Sequence, residues 1–313
     1  MRAVHCQQGR IAVTDVPEPS GEGVRVRVRS AGICGSDLHM IDAGYPMRAI
    51  PGHEIAGKLQ DDTAVAVEPV IGCGHCECCL RGEYNLCPSQ IERFLGIGQD
   101  GGMAEEIVVP ESCLVALPRG VVAEDACLVE PLAVAVHGLR KAGLQDSQQV
   151  AVIGGGTIGQ CAVAASSYVG ASVALGARHD AQLAAGERLG AGKVDDSGCY
   201  DLVVDCAGTQ GALEEACRIC RPGGTLLLLA SYWDGFEPPG MTLCMKEIRV
   251  VPSFMYARFE GGRDVETAAS MLAARPEIAE TVITHRLPLD AAAEAFEVAR
   301  DRKSGSIKVV LTP

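Results

Sequence analysis

The apolar run Val150–Ile153 breaks directly into Gly154-Gly155-Gly156-Thr157-Ile158-Gly159, and a small-residue helical pattern follows before a second valine-bearing run reaches Arg178. No other stretch restricts the fold so narrowly. Strand, glycine turn, helix and strand in that order predict a parallel β-α-β unit. Gly154 permits the tight turn, Gly156 lets a pyrophosphate approach backbone, and Gly159 lets the helix pack on its strand. The helix N-terminus, with Thr157 and Ile158 in its first turn, offers unpaired N–H groups to phosphate oxygens. The stretch reads as a dinucleotide site.

The surroundings extend that reading. From about residue 137 to 260 strands and helices alternate, ending in "YDLVVDCAGTQGALEEACRICRPGGTLLLLAS", which predicts a doubly wound parallel sheet. Residues 1–120 carry short valine runs such as "VRVRVRS" among Gly and Pro, which suits a small, irregular β-barrel. A chain of 313 residues is long for one core, so two domains are expected. A net charge of −13 argues against nucleic acid or an anionic membrane surface as the main partner. With no long apolar run and no signal-like N-terminus, the expected location is the cytoplasm.

Fifteen cysteines in such a chain suggest metal ligands and small buried hydrophobes. Residues 72–87, "GCGHCECCLRGEYNLC", hold five of them. Cys73, Cys76, Cys79 and Cys87 follow C-x2-C-x2-C-x7-C, a spacing that lets four thiolates close a tetrahedral shell around zinc. A closed shell has no position for a reactant, so this is a clamp, with Cys78 a bystander. Four unrelated thiols, or a nucleic-acid-binding zinc module, are the competing readings; few basic residues flank it.

Upstream, residues 31–57 offer Cys34, His39, His53 and Glu54 amid glycines that suit turns rather than a helix. Downstream, "CLVEPLAVAVHGL" sets Glu130 before a proline at the entry to a helix. Thiolate, imidazole and carboxylate from separated segments form the mixed ligand set of a catalytic zinc. Each alone reads as packing; the set does not.

With "GICGSDLH", "PGHEIAG", the cysteine lobe, "EPLAVAVH", "GGGTIG" and "VITHRLPLDAAAEAF…SGSIKVVL" in this order, the chain resembles the zinc-dependent medium-chain alcohol dehydrogenases, especially their sorbitol, threonine and glucose dehydrogenase branch. The resemblance implies a GroES-like irregular β-barrel catalytic domain over 1–136, to which 265–313 return, and a Rossmann cofactor domain over 137–264. It implies two zincs per chain: a structural ion on Cys73, Cys76, Cys79 and Cys87, and a catalytic ion on Cys34 and His53 with Glu54 or Glu130. Asp37 matches the family carboxylate that orients a ligand imidazole. Zinc would bind the substrate as alkoxide while Ser36 and His39 relay its proton; a plain surface histidine is the other reading of His39.

By the same resemblance, the family's acidic ribose-binding position falls on Ala177, with Arg178 next. That pattern leaves room and a cation for a 2′-phosphate, so NADP is expected and NAD is the alternative. Asp180 is read as the cap of the next helix. Three departures stand out. "GKLQDDTAVAVEP" is short, "AGKVDDSGCYDLVV" lacks a helix between strands, and Met255 occupies the place of a polyol-binding arginine, for which Arg258 could substitute. The expected reaction is hydride transfer between a small primary or secondary alcohol and NADP, giving aldehyde or ketone, in a homodimer or homotetramer joined around "MTLCMKEIRVV". An NAD-dependent polyol or sugar dehydrogenase is the nearest alternative. A non-catalytic zinc-clamped cofactor-binding protein is the alternative from another class.

Overall fold

The computed structural model describes residues 1–313 apart from Gln8 and Ser197, and the chain divides into two compact units, Met1–Glu130 with Ala257–Pro313, and Pro131–Tyr256.

In the second unit six strands lie side by side, all parallel, in the order Gly192–Lys193, Ser172–Gly176, Gln149–Ile153, Tyr200–Asp205, Cys220–Leu228, Arg249–Pro252. Val150–Ile153 and Leu202–Asp205 are buried without alternation, as expected of strands covered on both faces. The winding direction reverses between Gln149–Ile153 and Tyr200–Asp205, and ligands of such sheets bind outside the strand ends at that point. Among the described residues, no helix lies between Gly192–Lys193 and Tyr200–Asp205. Arg249–Pro252 forms one edge of the sheet.

The first unit is built on a seven-stranded sheet in which Ile283–Pro288, Lys308–Thr312, Val24–Gly32, Glu54–Lys58, Ala64–Val67 and Leu114–Ala116 follow one another, and Glu106–Val109 also pairs with Val24–Gly32. Val26, Val28, Ile55, Val67, Phe296 and Leu311 are among its buried core. The C-terminal strand therefore sits beside the strand that leads into Cys34, a neighbour far away in sequence.

Two local expectations are corrected. The segment after Cys34 is a helix, Gly35–Asp42, not a turn-rich loop. Its start is fixed by Asp37, whose carboxylate accepts the Cys34 N–H at 3.0 Å and so satisfies a donor at the helix entrance. Asp180 is the first residue of the helix Asp180–Arg188 and not its cap; His179 holds the cap position in extended backbone, without a side-chain cap bond.

Candidate functional site

Cys34, His53 and Glu54 converge. One ligand atom from each lies within 4.8 Å of the others. Cys34 stands at the helix entrance just beyond the strand Val24–Gly32, and Glu54 opens the antiparallel strand beside it, opposite Gly32. Residue 32 has to be glycine: a Cβ there would stand 1.9 Å from Glu54 Oε2. His53 Nε2 is 3.5 Å from Ser36 Oγ, and Nδ1 is 3.5 Å from Asp37 Oδ1, an ion-pair distance without hydrogen-bond geometry. Phe94 tilts against the imidazole, with ring centroids 5.5 Å apart.

Burial alone would push His53 down, but the charges of Asp37 and Cys34 outweigh it and hold the imidazole well above its ordinary range. Burial pushes Asp37 up. Three buried polar atoms without a hydrogen-bond partner meet here: Asp37 Oδ1, His53 Nδ1 and Glu54 Oε2. Such atoms are costly unless something satisfies them. A cation among thiolate, imidazole and carboxylate would satisfy Glu54 Oε2, and zinc bonded at about 2.0–2.3 Å suits this donor set. The residues fit the ion.

Sequence reasoning missed Lys308. Its ammonium, 1% exposed, bonds Glu54 Oε1 at 2.6 Å and the Ile33 carbonyl at 2.8 Å. Burial alone would lower the Lys308 pKa, yet Glu54 and Cys34 raise it above the ordinary value. The signal was present: a lysine interrupting the apolar strand "IKVVL" needs a buried partner. Glu130, buried in the first turn of Val129–Ala142, lies outside the close trio, although its charge contributes to the raised His53. His39 is three residues beyond Ser36 on the same helix, with its side chain exposed.

Cys73, Cys76, Cys79 and Cys87 form a second cluster, their sulfurs all within 4.8 Å of one another; Cys78 is not part of it. Backbone amides hold the sulfurs: Cys76 N–H donates to Cys73 Sγ and Cys73 N–H to Cys87 Sγ, both at 3.3 Å, and Cys79 N–H to Cys76 Sγ at 3.5 Å. A Cβ at residue 72 would lie 2.7 Å from Cys79 Sγ, so the glycine makes room for the turn. Burial pushes the Cys79 thiol up to about 12, whereas for Cys87 burial is outweighed by hydrogen bonds from Ser89 and the Cys73 amide, which bring it down to about 6.

In the second unit each glycine of the turn has its own reason. Gly154 has φ +107°, and a Cβ would sit 2.8 Å from the Ala207 nitrogen. At Gly159 a Cβ would lie 1.8 Å from the Gly154 oxygen, so the helix Thr157–Val169 packs on its own turn. A Cβ at Gly156 would meet nothing within 4 Å, so open space and not packing surrounds the residue where a pyrophosphate would approach. Ala177 borders this turn: its Cβ would be 2.7 Å from one built on Gly155. Arg178 is exposed next to it.

Residues 20–119 match the alcohol dehydrogenase GroES-like domain, and residues 157–274 match the zinc-binding dehydrogenase family. Galactitol 1-phosphate 5-dehydrogenase of Escherichia coli is 31% identical over 343 residues, spanning 97% of this chain and 96% of the relative. This chain belongs to the zinc-dependent medium-chain alcohol dehydrogenases. L-galactonate-5-dehydrogenase of the same organism is 28% identical, over 100% of this chain and 99% of its own length. A zinc-binding dehydrogenase of Sinorhizobium meliloti crystallised with NADP superimposes with a TM-score of 0.87 at 28% identity, covering 100% and 99% of the two chains. As a member of the family, this chain is an NAD(P)-dependent oxidoreductase with the GroES-like and Rossmann-type architecture described above.

Family membership sharpens what the remaining candidates do. Arg258, the arginine considered for a polyol, bonds through its backbone N–H to the Gly82 carbonyl in the cysteine lobe, and its charge acts on Glu68 and Glu266. Tyr232 donates to Asp205 Oδ2 at 2.8 Å; Asp205 Oδ1 accepts the Ala207 and Gly208 N–H groups. This ties down the loop after the strand at the sheet's reversal point. Trp233 is 48% exposed.

Proposed function

We propose that this dehydrogenase oxidises a secondary alcohol of a polyol-type substrate with NADP, or reduces the corresponding ketone, using two zinc ions per chain. The observation that carries the reading is the convergence of Cys34, His53 and Glu54 around a buried carboxylate oxygen without a partner. Cys34, His53 and Glu54 would hold the catalytic ion, with Glu130 close by as the carboxylate that can exchange with Glu54. Cys73, Cys76, Cys79 and Cys87 would hold the structural ion. Zinc in the first site supplies Lewis acidity that lowers the pKa of an alcohol hydroxyl, and the nicotinamide supplies the hydride acceptor.

The protein's own groups do the rest. Asp37 orients the His53 ring from its Nδ1 side, and Lys308 fixes one oxygen of Glu54. Ser36 Oγ, beside His53 Nε2, takes the substrate's hydroxyl proton and passes it by way of His39, at the solvent side of the same helix, to water. The turn Gly154–Gly159 binds the pyrophosphate. Ala177 leaves space at the adenosine ribose, and Arg178 pairs with the 2′-phosphate.

The polyol class follows from relatives named for galactitol 1-phosphate and L-galactonate. Fifteen unbridged cysteines fit a reducing, cytoplasmic setting. The sheet edge Arg249–Pro252 is the surface through which a homodimer or homotetramer would form.

The test is oxidation of a panel of alcohols and polyols by zinc-replete protein, each run with NADP and with NAD, beside Arg178→Ala. Expected is a preference for NADP that Arg178→Ala reduces about tenfold or more through the KM for NADP, consistent with loss of a charge-assisted bond. An unchanged cofactor ratio in that variant would overturn the NADP assignment and favour NAD.

A further inference from the structure

Arg302 is placed where a substrate could use it. It opens the turn Arg302–Ser304 after the last helix, and its Nη1 donates to the Ile307 carbonyl at 3.4 Å. Ile307 directly precedes Lys308, the residue that bonds Ile33 and Glu54. The Ile33 N–H in turn donates to the Val309 carbonyl at 2.9 Å, so residues 307–309 run alongside the approach to Cys34. Burial lowers the Arg302 pKa, and the charge of Cys34 offsets this only in part.

Arg302 is half-buried and, among the described residues, has no carboxylate partner. Three other half-buried arginines of the same unit do, although Arg29 does not: Arg263 holds Glu68 at 3.0 Å, Arg275 holds Glu277 at 2.8 Å, and Arg300 holds Asp42 at 2.8 Å. Taking a cation partly out of water without a counter-charge is unfavourable. An arginine fork with most of its donors free matches the oxygens of a phosphate or carboxylate. A Cβ on Gly35, the residue after Cys34, would meet nothing within 4 Å, so the backbone beside the sulfur borders open space.

We propose that Arg302 is a specificity-determining residue that takes the anionic group, phosphate or carboxylate, of a polyol-derived substrate whose reacting hydroxyl lies toward Cys34 and His53. The inference rests on the dehydrogenase reading above and deepens it by naming the substrate class.

The experiment compares kcat/KM for matched pairs on full-length, zinc-replete protein: galactitol 1-phosphate against galactitol, and L-galactonate against the neutral hexitol. Wild type, Arg302→Lys and Arg302→Gln are measured, with thermal melting to confirm folding and the KM for cofactor recorded. Expected is an anionic preference in wild type that Arg302→Gln reduces about ten- to a hundredfold, through KM, while neutral turnover changes less than about twofold. Arg302→Lys should keep part of the preference. The pair that responds identifies phosphate or carboxylate as the partner. Equal losses on neutral and anionic compounds, or a rise confined to the KM for cofactor, would overturn the proposal. Neutral turnover without anionic preference overturns this inference alone. Silence on every compound, from protein holding both zincs, takes the dehydrogenase reading down with it.

Discussion

The two cysteine-bearing clusters of the first unit are built on opposite plans. In the lobe at residues 73–87, four ligands come from fifteen consecutive positions, and main-chain N–H groups already point at the sulfurs. At Cys34 the partners come from separate segments, and the cluster depends on side chains behind it: Asp37 beside His53, and Lys308 against Glu54. Four thiolates close a coordination shell, whereas three mixed ligands leave a tetrahedral ion one free position. The difference teaches that a local sulfur cage needs only a short peptide, while an open site needs a fold to hold its supports.

The largest effect that would sharpen this contrast is expected from His53→Ala. Zinc content should fall from two ions to one and kcat by about a thousandfold or more, equivalent to several kcal/mol of transition-state stabilisation. Metal analysis and turnover on the same sample check it, and retained activity would break the assignment. Next, Cys87→Ala should also remove one ion but express itself in folding, with the lobe losing several kcal/mol of metal-coupled stability. Proteolysis within residues 72–87 should accelerate, and kcat of the surviving folded protein should hold within about threefold, a small fraction of the barrier. A kcat loss matching that of His53→Ala would end the distinction between clamp and catalyst.

In zinc-free protein, Lys308→Met should cost about 3–5 kcal/mol in urea unfolding, because it leaves Glu54 charged and buried. Lys308→Met combined with Glu54→Leu should regain much of that loss, since the orphaned charge goes too. A single substitution no worse than the double would show that the pair is not a buried support. The smallest effect belongs to Cys78→Ser: it lies outside the sulfur cage, so stability should stay within about 0.5 kcal/mol and zinc content should not change.

Much of this was legible from residue order. The cysteine spacing identified the cage, and Gly154, Gly156 and Gly159 identified the turn, because each depends on contacts within a dozen or so residues. The helix Gly35–Asp42 was less legible: glycines at both ends masked a start set by the single Asp37–Cys34 bond. Lys308 showed only that it needs a buried partner, and Arg302 gave no signal. A lysine or arginine some 270 residues from Cys34 carries no local sign of its neighbour.

By itself, then, the sequence determined the chemistry that could be present: sulfur and nitrogen donors suited to zinc, a glycine turn suited to phosphate, and a small residue followed by arginine after the second strand. Only the tertiary structure decided which charges stand behind and beside those donors. Strand pairing brings Lys308–Thr312 against Val24–Gly32, and that pairing, set by burying apolar faces over the whole unit, turns a remote lysine into the partner of Glu54.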